Sequence, residues 1–229
     1  MSLTFMHGTP LADLEDQMRM VPNFSPRRHG KRSLRSCNPT AADVDCKYCL
    51  HYRYKTCLRR TCPYLAERLE AGAVTLPELT SETVRAWRYI PLRRRAMSVM
   101  RRTDSIHFEG QLHLARMVDA WKNCHHLDNG AWLAAVYLLS AHTELWVRTS
   151  MAVLRDQIDF TAVRLKGIGT QDYILYRAAK GVFQGTLGAT SEELADIDLV
   201  TNKTLLLVLS AALIARYGPN VMKIGRNAV

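Results

Sequence analysis

The chain has 229 residues, 48% of them hydrophobic and 23% charged, with 31 Lys or Arg against 21 Asp or Glu. That balance excludes a fully disordered chain and a fibrous repeat protein, and it leaves one or two small folded domains. The formal net charge of +10 is unevenly spread: residues 1–105 hold 19 basic and 10 acidic side chains, residues 106–229 hold 12 and 11. A polyanion-facing first half and a nearly neutral, core-forming second half are therefore expected, since only an unbalanced block creates a steering field.

Residues 1–36 read as a basic arm. Between Pro10 and Met20, Leu11, Leu14 and Met18 fall near helical spacing with Asp13, Glu15 and Asp16 on other faces, which predicts a short docking helix. Pro22 and Pro26 then break the chain, and Arg27, Arg28, Lys31, Arg32 and Arg35 follow with no apolar periodicity, as in a mobile segment that a partner orders. The polar opening Met1 to Gly8 does not have the pattern of a secretory signal. The longest apolar run, Leu205 to Ala215 interrupted by Ser210, is about half of the roughly 20 residues that span a bilayer, and it reads as a buried core helix. No membrane role is expected. The default compartment is cytoplasmic and reducing, where cysteines mean metal more often than disulfides.

Residues 37–72 carry five of the six cysteines. Cys46, Cys49, Cys57 and Cys62 follow the spacing C-x2-C-x7-C-x4-C, in which two thiolates from one tight turn and two more from a short return loop complete the tetrahedral set that zinc prefers. The central loop is shorter than in common fingers, so a compact zinc knuckle without a recognition helix of its own is expected. Lys47, Arg53, Lys55, Arg59 and Arg60 lie between or beside the thiols and offset the charge of a four-thiolate centre. Cys37 or His51 can replace a ligand. Unligated reduced thiols, disulfides and an iron–sulfur cluster are the alternatives. A four-cysteine site leaves no position open for water, so a catalytic zinc is not expected.

Tyr64, Leu65 and Leu69 predict a short helix capped near Gly72. In the arginine-rich connector, 73–105, Thr80-Ser81-Glu82-Thr83 predicts a helix start, with Pro91 ending or restarting it. Arg93, Arg94, Arg95, Arg101 and Arg102 bracket Met97, Val99 and Met100. From residue 106 to 229 the reading is an all-helical domain of five or six helices. Leu112, Leu114, Ala115, Val118 and Trp121 form one inward face. Ala131 to Ala141, capped by Asp128 or Asn129, is apolar nearly all round and central; 144–155 follows with Leu145, Trp146 and Met151 inward. Gln157 to Leu165 alternates as a short strand or extended linker would. Thr170 caps a helix from Gln171 to Phe183, Thr190 to Glu193 is a capping box, and a last helix runs from Thr204 to Arg216 before Gly218-Pro219. The fold class is mainly α, a compact N-terminal zinc-knuckle module joined to an all-helical C-terminal domain.

From Arg19 to Cys62 there are 11 basic and two acidic residues, and Arg85 to Arg102 contains seven arginines and no acid. That density supports several phosphate contacts, and Tyr48, Tyr52, Tyr54 and Tyr64, interleaved with Lys and Arg, are placed to stack unpaired bases. The competing explanations are that these rings form the small core of a knuckle, and that the arginines form a solvated face or grip an acidic protein. Lys166-Gly167-Ile168-Gly169-Thr170 lacks the full P-loop spacing and reads as a simple turn. The histidine pair at Cys124-His125-His126 suits a helix C-terminus, and His107, His113 and His142 read as core or surface histidines. No hydrolase, zinc-protease or kinase signature occurs, so the chain does not read as an enzyme.

The run Cys46-Lys47-Tyr48-Cys49-Leu50, then Cys57 and Cys62-Pro63-Tyr64-Leu65 through Val74, together with Met6 to Pro10, resembles cysteine-knuckle accessory proteins of bacterial mobile elements, the conjugative transposons and prophages of Firmicutes. The resemblance covers the first third of the chain. It implies an accessory role as a DNA-transaction factor or as an inhibitor of a host defence nuclease such as a Cas effector, of the anti-CRISPR type. The reading from the residues is a non-enzymatic zinc-binding protein that binds nucleic acid, or a nucleic-acid-loaded protein complex, through its basic N-terminal half. The helical half would serve as scaffold, homodimerisation unit or partner-docking domain. The alternative is a protein-binding inhibitor whose arginines engage an acidic or nucleic-acid-binding surface.

Overall fold

A computed structural model describes residues 10, 12–19, 40–42, 44–55, 62, 64–123, 129–186 and 188–224. It divides the chain into two units, residues 1–38 and 39–229. In the first unit, Ala12–Arg19 forms helix α1, within the stretch whose amphipathic spacing predicts one.

The second unit is built around α7, Gly130–Ser140. Asn129 starts it by accepting a hydrogen bond from the Trp132 backbone N–H at 3.0 Å. Every residue from Trp132 to Ser140 is buried, as an all-round apolar helix requires. Two long helices flank it: α9, Thr170–Gln184, and α11, Asn202–Tyr217. The approach of α7 to α11 depends on Gly130, because a Cβ there would lie 2.8 Å from the Ala215 carbonyl oxygen. The capping box before α10, Ser191–Ala195, is formed in full: Thr190 Oγ1 accepts from the Glu193 N–H, and Glu193 Oε2 accepts from the Thr190 N–H at 2.7 Å. Thr201 caps α11, and Gly218 ends it with a positive φ of 75° that a side chain would disfavour.

Between α1 and α7 lie a 3₁₀ turn at Cys46–Tyr48, α2 at Leu50–Arg53, α3 at Leu65–Glu70, α4 at Leu76–Val84, α5 at Ile90–Met100 and α6 at Gln111–Asn123. After α7 come α8, Thr143–Thr149, and a 3₁₀ turn at Ser150–Ala152. The end of α3 is a Schellman motif on Gly72, φ 68°, with the Ala73 N–H donating to the Arg68 carbonyl and the Gly72 N–H to that of Leu69. Among the described residues there is no strand. The alternating segment 157–165 contributes one isolated antiparallel bridge, Ile158 to Val153. None of the described helices is long and apolar enough to cross a membrane.

One buried cluster runs through the second unit. Leu69, Val74, Leu76, Leu79, Val84, Leu92, Ala96 and Met100 belong to the same buried cluster as the residues of α7, α9 and α11. Residues from 69 to 100 thus contribute side chains to that core. Helix α4 begins earlier than expected. Thr75 Oγ1 accepts from the Glu78 N–H and Pro77 occupies the first turn, while the Thr80 hydroxyl donates to the Leu76 carbonyl from inside the helix. On α6 the inward row is His113 and Met117, and Leu112 and Val118 are exposed. Met151, expected inward, is 90% exposed, because the helix tightens to 3₁₀ at Ser150 and its phase changes.

Candidate nucleic-acid interface

Helix α5 organises the largest group of predicted phosphate ligands in the described residues. Pro91 sits in its first turn, where a missing N–H is no loss, and the Arg101 N–H closes its end on the Met97 carbonyl at 3.1 Å. Leu92, Ala96 and Met100 form one i, i+4 row and are buried in the core. Two further rows, neighbours of each other, are Arg93, Met97, Arg101 and Arg94, Ser98, Arg102, and these six residues line a shallow groove of about 330 Å³. Two guanidinium pairs thus stand at its two ends, about 12 Å apart along the axis at 1.5 Å per residue, over an uncharged floor of Met97 and Ser98. No lining residue is acidic.

The sequence of α5 works against its own helix electrostatics. Its first turn contains no acid, and three arginines follow directly, near the positive end of the helix dipole. Such placement costs a few tenths of a kcal/mol per charge and adds like-charge repulsion.

Arg95 departs from the expected set. Its guanidinium turns away from the groove and donates to the carbonyl oxygens of Leu194 and Asp196, both at 2.9 Å, to that of Val200, and to Asn202 Oδ1 at 3.0 Å. Burial pulls its pKa below the ordinary arginine value, yet a guanidinium remains charged at any ordinary pH. Arg95 is an anchor that pins α5 to the segment between α10 and α11. In the helical wheel it flanks the buried row, which fixes the rotation that turns Arg93 and Arg94 outward.

Around the cysteines the structure brings part of the predicted site together. Asp45 accepts from the Lys47 N–H at 2.9 Å and the Cys49 N–H donates to the Cys46 carbonyl at 3.0 Å, so C-x2-C is a tight 3₁₀ turn. That backbone contact, followed by its ion pair with Lys47, holds the Asp45 carboxyl below the usual range. Cys62 stands just before α3. Half-buried Arg68, on α3, forms a fork with Glu78 of α4, 3.0 Å at its shorter arm, and the sulfurs of Cys62 and Cys46 add a smaller electrostatic influence on it. Burial works to lower its pKa, but Glu78 and the two sulfurs leave it above the ordinary arginine value. Nothing in the sequence singles out Arg68 and Glu78: ten residues apart on two helices, they have no pattern to announce them.

Among the described residues, no three Cys, His, Asp or Glu side chains form a group that would hold a metal ion. Cys57, Arg59 and Arg60, like Cys37 and the arm residues Arg27, Arg28, Lys31, Arg32 and Arg35, lie outside the described residues. Tyr52, Arg53, Tyr54, Lys55 and Tyr64 are exposed, and Lys47 is exposed and paired with Asp45.

The remaining sequence signals are structural. His113 is buried, its Nε2 donating to the Tyr137 carbonyl at 2.8 Å and its Nδ1 accepting from the Glu109 N–H. His142 pairs through Nδ1 with Asp172 of α9. Gly167 makes a turn with φ 75°, and the first turn of α9 already holds the Asp172 carboxylate, which disfavours a phosphate there. Compared with known proteins, the chain matches no family model, and no curated protein or solved structure is significantly similar to it.

Proposed function

We propose that the protein binds nucleic acid and performs no chemistry on it, with the outer rows of α5 as the surface that meets phosphates. The observation that carries this reading is the groove of Arg93, Arg94, Arg101 and Arg102, two guanidinium pairs on one helix face with no acid among its lining. Four such side chains act as counterion-displacing contacts, whose affinity is set by phosphate charge and weakened by salt. The sequence excess of positive charge in residues 1–105 supplies long-range attraction to the same half of the chain.

The cysteines are assigned a supporting role: Cys46, Cys49, Cys57 and Cys62 hold a structural zinc. The support is the thiolate donor set and the C-x2-C turn. Bound zinc would tie the residue 46 turn to the start of α3. Metal analysis after reducing purification should give one zinc per chain, and Cys57→Ser should release it. A zinc-free wild type, or a variant with undiminished zinc, would overturn this assignment.

The test of the main reading is fluorescence anisotropy with a labelled DNA duplex across a salt series. Binding should weaken steeply between about 50 and 200 mM salt. Changing Arg93, Arg94, Arg101 and Arg102 together to Gln should flatten the plot of log affinity against log salt by about 0.9 for each phosphate no longer neutralised. No binding at low salt by the wild type, or an unchanged slope in the variant, would sink the proposal.

A further inference from the structure

Three exposed tyrosines remain outside the account of α5. Tyr52 is 45%, Tyr54 69% and Tyr64 49% exposed. Tyrosines beside a cysteine turn often exist because so small a module has no other apolar core, but for Tyr64 that need is absent here. Leu69 and Val74 are buried in the core of the whole unit and Leu65 packs against it, so the segment after Cys62 is already anchored by aliphatic side chains. None of the three rings belongs to the buried core cluster of the described residues.

Their setting has the chemistry of a base-stacking surface. Arg53 stands between Tyr52 and Tyr54, Lys55 follows, and all four are exposed. Lys55 adopts a left-handed conformation, φ 59°, with its N–H on the Tyr52 carbonyl, which turns the chain immediately after Tyr54. Tyr52 and Tyr54 follow Cys46 through the 3₁₀ turn and α2, and Tyr64 follows Cys62. The α5 groove carries no ring of its own, only arginines, Met97 and Ser98. It reads phosphate charge alone.

We infer that the exposed rings of Tyr52, Tyr54 and Tyr64 stack unpaired bases, so that the preferred ligand is a single-stranded nucleic acid. This rests on the nucleic-acid reading above and narrows it. Aromatic faces interleaved with cations accept any base and hold a strand through stacking together with phosphate contacts, whereas paired bases in a duplex are already stacked and cannot use them.

The experiment uses the full chain with three labelled probes: oligothymidylate, the same strand annealed to its complement, and an abasic strand of equal length. Replacing Tyr52, Tyr54 and Tyr64 by Ala should weaken oligothymidylate binding by about tenfold for each ring that stacks, and leave duplex binding unchanged. Tyr→Phe at the same three positions should restore it, since the ring and not the hydroxyl does the stacking. The abasic strand should bind the wild type no more tightly than oligothymidylate binds the alanine variant. Tyr54→Ala alone, at the most exposed ring, repeats the comparison without risk to folding. An alanine variant that holds oligothymidylate as tightly as the wild type would overturn the inference, as would equal losses for single strand and duplex. In either case duplex binding that still depends on salt and on the α5 arginines leaves the broader reading standing. A wild type that binds none of the probes overturns both.

Discussion

His113 shows how one side chain couples this fold to pH. It occupies the inward row of α6, in a cluster of three mutually tilted rings with Phe108 and Tyr137, with the Tyr137 carbonyl on one nitrogen and the Glu109 N–H on the other. Only the neutral ring satisfies both partners, because a proton on Nδ1 would point at an N–H. Burial is the largest influence and pushes its pKa down to about 4, from 6.5. Below pH 6.5 the unfolded chain takes up a proton that the folded chain refuses, so stability is complete above that value and falls as pH drops toward 4. At 1.36 kcal/mol per unit, the loss between about pH 7.5 and pH 5 is about 2 kcal/mol. Urea midpoints at those two pH values should differ by that amount in the wild type and by clearly less in His113→Gln. An equal difference in the two proteins would show that other groups carry the pH dependence.

Elements are legible where the signal is local. The Thr190 capping box, the Asn129 cap, the all-apolar α7 and the Gly218-Pro219 stop all form as their residue types dictate, since each depends on groups within a turn of one another. The start of α4 is harder to place although Thr75-x-x-Glu78 with Pro77 is itself a helix-start pattern; the competing Thr80-Ser81-Glu82 run obscures it. Faces are harder still. A histidine takes the core position of α6 because its polarity is cancelled by two backbone groups that no spacing rule reveals, and Leu112 is left outside. The candidate site divides in the same way. The density of arginine in 85–102 is plain in the sequence, and so is the pairing of rows 93-97-101 and 94-98-102 once a helix is assumed. That Arg95 points elsewhere depends on carbonyls about a hundred residues away, at Leu194, Asp196 and Val200.

At the scale of the molecule, the charge asymmetry and the core asymmetry do not coincide. Charge separates residues 1–105 from the rest, but burial joins the two halves of residues 39–229. Leu79 of α4 and Leu207 of α11, more than a hundred residues apart, are both almost fully buried in one cluster, and the Thr83 hydroxyl bonds that of Tyr217 across the same contact. The arginine rows of α5 are therefore displayed on a helix that packs into the same core as α7. If one core holds both, α4 and α5 cannot melt while α7 to α11 stay folded. Leu79→Ala and Leu207→Ala should each move the same urea transition, by about 2–4 kcal/mol for a buried leucine truncated to alanine, with circular dichroism and tryptophan fluorescence changing together. Two resolved transitions, one moved only by Leu79→Ala and the other only by Leu207→Ala, would instead make residues 73–105 a separable connector and leave the arginine rows free to move against the helical body.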